Sequence, residues 1–296
     1  MKKILMALAA LALTAGPAAA KLKVMTTTSD LAWLTQRIGG DRVSVESIST
    51  GDQDLHFVEP RPSMVVKLRR ADMLVRIGLD QDMWADSLVA AARNGKIVYG
   101  APGYVDTSVG IKVLQVPTGR VDAAMGDIHI FGNPHYWLDP ANSAIMARNI
   151  AAGLARLDPS GAPVYEANLT SYKKELDARL EKWREAMAPL KGTKIVTYHN
   201  SWIYFAGAFG LEIVENIEPK PGIPPSPAHI DKVIRTMKET GARFILVESY
   251  YPMKGPGMIA EKTGAGALRV ASSAGGLPGV KTYFDVFDFL VGELSR

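Results

Sequence analysis

Cysteine is absent from all 296 residues. No disulfide can staple the fold, no thiolate can ligate a metal, and a lipid anchor on an N-terminal cysteine is not expected. Stability has to come from hydrophobic burial, for which a chain of this length suffices. Beyond its first segment the chain has no apolar run long enough to span a bilayer as a helix. It also lacks an excess of one charge. The formal net charge is +4, and beyond Lys2-Lys3 the basic residues are scattered, with Arg69-Arg70 and Lys173-Lys174 the only notable pairs. That distribution offers no electrostatic footprint for nucleic acid. Low-complexity tracts are missing, and histidine is scarce, at five residues.

What is present begins with an address. Met1-Lys2-Lys3 is a short positive start, residues 4–15 are apolar, and Ala18-Ala19-Ala20 supplies small residues ahead of Lys21. These three parts make a secretory signal peptide over residues 1–20, with cleavage after Ala20. The expectation is a mature protein free in the periplasm of a double-membraned bacterium, monomeric and not a lipoprotein.

The rest alternates short β-rich runs with helical patterns, the mark of βα units around largely parallel sheets. Strands are expected at 22–27, 43–49, 73–77 and 96–99, with helices at 29–38, 63–70 and 84–92 between them; Ser29 or Asp30 and then Ser63 are the expected caps. Residues 103–126 read as irregular. A helix from about 142 to 157 resumes after Asp158-Pro159 and runs to Met187. Within it Leu169, Tyr172, Leu176, Leu180, Trp183 and Met187 recur at spacings of three and four, one apolar stripe on a long helix. Pro189 and Gly192 end it. The alternation then restarts, with strands at 194–197, 212–217, 244–248 and 268–271 and helices at 201–209, 226–240, 257–263 and 283–294. The expected fold is α/β: an N-terminal lobe over 21–158, a linking long helix over 159–191 and a C-terminal lobe over 192–296.

The histidines carry the candidate chemistry. His56 lies between the second strand and the next helix, in Asp54-Leu55-His56-Phe57-Val58-Glu59-Pro60. His135 lies in a backbone stiffened by Pro134 and Pro140, and His199 directly follows the strand at 194–197. Ligands in open α/β sheets gather at the loops beyond the carboxyl ends of strands, so position marks all three as candidate metal ligands. They form no short motif with their neighbours. Glu59 reads as a carboxylate near a helix start, and Trp137, Trp202 and Tyr204 read as core and cleft wall.

Several stretches in order carry a resemblance across essentially the whole chain after residue 20. They are His56-Phe57-Val58-Glu59-Pro60-Arg61-Pro62-Ser63, Leu68-Arg69-Arg70-Ala71-Asp72, Asn133-Pro134-His135-Tyr136-Trp137-Leu138-Asp139-Pro140, Tyr198-His199-Asn200-Ser201-Trp202 and Ile245-Leu246-Val247-Glu248. Together they resemble the zinc- and manganese-binding proteins of bacterial ABC importers, the ZnuA/TroA-like or cluster A-I solute-binding proteins. The resemblance implies two lobes bridged by a rigid helix, with metal in the cleft between them. It also implies His56, His135 and His199 as ligands and, as partners, an ABC permease with its ATPase. A periplasmic metallochaperone is a further candidate partner.

Where relatives carry a fourth, acidic ligand this chain reads Val270-Ala271-Ser272-Ser273-Ala274-Gly275-Gly276, with no carboxylate. Glu248 is the substitute, and water is the alternative. His129 stands where zinc-binding relatives carry a His-rich loop, which makes it a candidate auxiliary ligand. His229 and the proline-rich stretch before it read as a stiffened surface loop. Three imidazoles with at most one carboxylate suit Zn(2+) better than Mn(2+). The expected role is capture of zinc, with manganese the alternative, for delivery to the importer and release by movement of the lobe carrying His199. No catalytic residue is expected; a zinc hydrolase is the rival class, and a surface adhesin a third.

Overall fold

The computed structural model describes residues 20–119 and 129–296. The expected signal peptide therefore lies, apart from Ala20, outside the described residues.

Among the described residues, eight strands form two four-stranded sheets, both wholly parallel. The first holds β1 (Leu22–Thr26), β2 (Val43–Ser47), β3 (Met73–Arg76) and β4 (Tyr104–Asp106) in the order β2-β1-β3-β4. The second holds β5 (Lys194–Thr197), β6 (Glu212–Asn216), β7 (Phe244–Glu248) and β8 (Gly266–Val270) in the order β6-β5-β7-β8. In each sheet the order reverses between two central strands, β1 with β3 and β5 with β7. Crossovers leave those strands in opposite directions, which opens a crevice at their carboxyl ends. The sheets are covered by α1 (Ser29–Gly39), α2 (Pro62–Arg69), α3 (Trp84–Ala92) and α4 (Ser143–Leu157) in the first lobe. The second lobe has α6 (Ile203–Phe209), α7 (Pro227–Thr240), α8 (Lys254–Thr263) and α9 (Tyr283–Leu294).

Between them runs α5 (Ala162–Met187), 26 residues and about 39 Å long. Its buried face is Tyr165, Leu169, Tyr172, Leu176, Leu180, Trp183 and Met187, the expected stripe extended by one tyrosine. This face packs on α1 and α4 at one end and on α9 at the other. Tyr172 stacks on Phe284 of α9 with ring centroids 5.5 Å apart, and Trp183 donates its indole N–H to Asp288 at 2.8 Å. One helix thus ties the outer layers of both lobes.

Three local expectations differ. The first helix is capped by Thr28, whose Oγ1 accepts from Leu31 N–H at 3.3 Å, rather than by Ser29 or Asp30. Residues 96–99 are not a strand; the fourth strand is Tyr104–Asp106, in the stretch expected to be irregular. Asn94 explains this, because its amide donates to the carbonyls of Leu68 and Ala71 while its oxygen accepts from Lys96 N–H, closing a turn where a strand would start. The second helix begins at Pro62 rather than being capped by Ser63. Proline at the first helical position loses nothing, since that N–H has no intrahelical partner.

The lobes meet along a hydrogen-bonded seam. Trp137 donates to the Ser272 carbonyl at 2.9 Å, Tyr283 to the Trp137 carbonyl at 2.6 Å, and Ser29 to the Ala274 carbonyl at 2.7 Å. Tyr204 bridges the Asn133 carbonyl and Leu114 N–H. A single apolar cluster runs through the seam, joining Val24, Leu31 and Val75 to Ile195, Leu246 and Val270.

Asp30, in the first turn of α1, accepts from Ala274 N–H at 2.8 Å across this seam while being 1% exposed. Burial raises its pKa from 3.8 to about 6, against the lowering effect of that N–H. Folding therefore favours the protonated acid, and the stability this gives is full below pH 3.8 and lost as pH rises through about 6. The loss amounts to about 3 kcal/mol at 1.36 kcal/mol per pKa unit. Asp30→Asn keeps an acceptor for Ala274 without the ionisation. In urea unfolding with a chelator present, its stability relative to wild type is expected to rise between pH 4.5 and pH 8. Equal pH dependence in the two proteins would show that Asp30 is not the group responsible.

Candidate metal centre

His199 lies two residues past β5 and Glu248 ends β7, so both stand at the crevice of the second sheet. His56 follows β2, and His135 opens a 3-10 turn on the way from β4 to α4. The folded chain brings His56, His135 and His199 into one group whose donor nitrogens lie within 4.8 Å of one another. The ring centroids are 5.0–5.3 Å apart. His135 and His199 are 5% and 3% exposed. Burial, reinforced by the neighbouring imidazoles, pushes His135 well below the usual histidine range.

Each ring is held from behind. In Asp54-Leu55-His56 and Asn133-Pro134-His135 the residue two before the histidine uses one side-chain oxygen twice. Asp54 Oδ1 accepts from His56 N–H at 2.9 Å and faces its Nδ1 at 2.8 Å. Asn133 Oδ1 does the same to His135, at 3.0 and 2.9 Å. Asn133 is oriented unambiguously, because its amide nitrogen donates to Asn200 O and Gln115 Oε1. Burial alone would raise Asp54, but its bonds from the His56 ring and amide outweigh that and hold it below the ordinary carboxylate range. His199 Nδ1 faces Glu218 Oε2 at 2.6 Å. A neutral imidazole with Nδ1 against an acceptor carries its proton there, leaving Nε2 a lone pair. All three Nε2 atoms are therefore set as donors to a cation.

Glu248 is not in this group. It is fully buried, and its Oε1 accepts from Ser201 Oγ at 2.8 Å and Trp202 Nε1 at 3.0 Å. Burial raises its pKa to about 8 against those two hydrogen bonds. His129 does approach the centre: its Nε2 lies 3.2 Å from His56 Nε2, and its Nδ1 meets Asp80 Oδ1. His229 is elsewhere, its ring on the Asn216 carbonyl and its N–H capped by Ser226. Sequence reasoning missed the supporting roles of Asp54, Asn133, Asp80 and Glu218. The repeated Asx-x-His spacing could have revealed the first two; nothing local marks Asp80 or Glu218.

Residues 24–296 match the model of the ZnuA family, described as zinc-uptake complex component A, periplasmic. The chain is 28% identical to the iron-binding protein YfeA of Yersinia pestis, over 94% of this chain and 86% of that protein. It is 31% identical to the manganese ABC transporter substrate-binding lipoprotein PsaA of Streptococcus pneumoniae, over 77% and 72%. Among solved structures, a zinc-bound deletion mutant of ZnuA lacking 138–173 superposes with a TM-score of 0.78 at 28% identity, over 93% of this chain and 97% of that one.

The expectation of a freely diffusing periplasmic protein that is not a lipoprotein does not stand. The streptococcal relative is named a lipoprotein, which points to a membrane-anchored periplasmic or surface location. Missing cysteine excludes such an anchor only within the residues of this sequence. The rival reading as a hydrolase also falls, since the family consists of substrate-binding components that work with a permease and an ATPase. With a family match running through both sheets and every histidine of the cluster, this chain belongs to the ZnuA family, the periplasmic metal-binding components of ABC importers.

Proposed function

We propose that the chain captures Zn(2+) between its lobes through the Nε2 atoms of His56, His135 and His199 and passes it to the permease. The observation that carries this reading is the placement of an oxygen acceptor behind all three Nδ1 atoms, which turns three lone pairs toward one point. Neutral imidazoles suit zinc, whereas manganese prefers oxygen donors. In this reading residues 1–20 direct export, lobes 21–158 and 192–296 are held by the 159–191 segment, and the protein works as a monomer. It is loaded by free ion or by a periplasmic metallochaperone.

His199→Ala is expected to weaken zinc binding by more than about 100-fold in chelator competition, because loss of an outer partner of a ligand alone costs 10–100-fold. Wild-type affinity in that variant would remove the site as drawn. Relatives named for manganese and iron make the cargo a separate question. Native mass spectrometry of protein isolated from its own periplasm is expected to find zinc; manganese or iron there would overturn the zinc assignment and leave the ligands intact.

A further inference from the structure

We propose that His129 is the fourth donor and that the centre is an all-imidazole site, a reading that rests on the three-histidine site above. Two nitrogens carry the case. His56 Nδ1 faces Asp54 and His129 Nδ1 faces Asp80, so in both neutral rings the proton sits on Nδ1. Neither Nε2 then has a hydrogen to give, yet the two lie 3.2 Å apart. Two lone pairs at that distance repel unless a positive charge, a shared proton or a metal ion, lies between them. Zinc–imidazole bonds of about 2.0–2.1 Å at tetrahedral angles place neighbouring nitrogens about 3.3 Å apart. The observed separation fits two donors on one ion.

Two other candidates for the fourth position have weaker support. Glu248 commits its Oε1 to Ser201 and Trp202, while its buried Oε2 has no hydrogen-bond partner among the described residues. Neither Glu248 nor His129 belongs to the group whose donors all lie within 4.8 Å, but of the two it is His129 that contacts a ligand ring, at His56. The loop at 271–276 has no carboxylate, and its backbone is bound into the seam by Ser29, Asp30 and Trp137. His129 is fixed by both oxygens of Asp80, one to its ring and one to Ile130 N–H at 3.1 Å. Asp80 has positive φ, a conformation uncommon outside glycine, which fits a residue held for a task.

An ion held this way meets four neutral nitrogens and no oxygen. Its charge is balanced one bond further out by Asp54, Asp80 and Glu218, each behind an imidazole, an arrangement that also raises ligand basicity. Such a set takes borderline ions, zinc, copper, nickel and cobalt, and disfavours manganese, calcium and magnesium.

The test uses the full exported chain loaded with zinc or, for optical spectra, with cobalt(II). X-ray absorption of the zinc-loaded wild type is expected to show four imidazole nitrogens; three with one oxygen would overturn the proposal. His129→Ala is expected to bind zinc at least tenfold more weakly and to change the cobalt(II) absorption bands, with Asp80→Asn giving a smaller loss. Glu248→Gln is expected to leave the cobalt(II) spectrum unchanged. If His129→Ala keeps wild-type affinity and spectrum while His199→Ala loses both, the fourth donor is wrong and the three-histidine site survives. If His199→Ala also keeps them, the failure lies in the site itself.

Discussion

Gly51→Ala is expected to lower stability by about 3 kcal/mol or more, and to weaken metal binding although it touches no ligand. A Cβ at Gly51 would lie 1.9 Å from the carbonyl oxygen of Ala274, 2.7 Å from its carbon and 2.8 Å from Gly276 N. All three atoms are backbone of the opposite lobe, so no side chain can rotate away. Overpacking a core typically costs 1–3 kcal/mol, and a clash with fixed backbone lies at or above the top of that range. Relief requires the seam to open at the root of the loop leading to Asp54 and His56. His56 would move relative to His199, and a displaced donor weakens a site that depends on fixed geometry. Urea midpoints and zinc competition check both effects. Unchanged values for both would mean that the seam yields freely.

The second large effect concerns Arg76, the last residue of β3 and 6% exposed. Its guanidinium donates to Asp82 Oδ1 at 3.2 Å, to the Asp82 carbonyl at 2.6 Å and to Asp86. Asp82 is itself 1% exposed, and its Oδ2 accepts from Thr27 Oγ1 at 2.6 Å and Ile77 N–H at 2.8 Å. The pair thus closes the carboxyl ends of β1 and β3. Arg76→Ala strands a buried carboxylate without its countercharge, and an expected loss of about 3–5 kcal/mol follows. Arg76→Met with Asp82→Asn should recover much of it, because the ionic cost is then removed on both sides. A double variant no more stable than Arg76→Ala would point to packing rather than charge.

The seam also bears on release. Movement of the lobe carrying His199 was the simplest expectation from a two-lobed fold. Rotation of whole lobes would have to break the Trp137, Tyr283, Ser29 and Tyr204 hydrogen bonds and divide one continuous apolar cluster. Displacement of individual loops that bear donors costs less, and the loop of His56 is half-buried rather than enclosed.

Long-period patterns were readable without coordinates. The stripe of α5 and the limits of α9 follow from apolar spacing, and the three strand-end histidines do meet. Residues 96–99 misled because Lys-Ile-Val-Tyr has the β propensity of a strand, while the outcome was set by Asn94 bonding to carbonyls more than twenty positions away. Asp80 and Glu218 were hidden for a related reason. Their partners, His129 and His199, reach them only through the crossovers of each sheet, whereas Asp54 and Asn133 sit two residues from the rings they orient.

His56, His135 and His199 stand on connections drawn from both sheets, too far apart along the chain to chelate before it folds. An unfolded molecule has no such affinity to compete for the ion, so the binding free energy goes wholly to the native state, about 4 kcal/mol at a thousandfold excess over Kd. Empty molecules unfold more often than loaded ones and meet proteases more often. The amount of this protein that survives in its compartment is thereby coupled to the supply of its cargo, a gauge that needs no separate sensor.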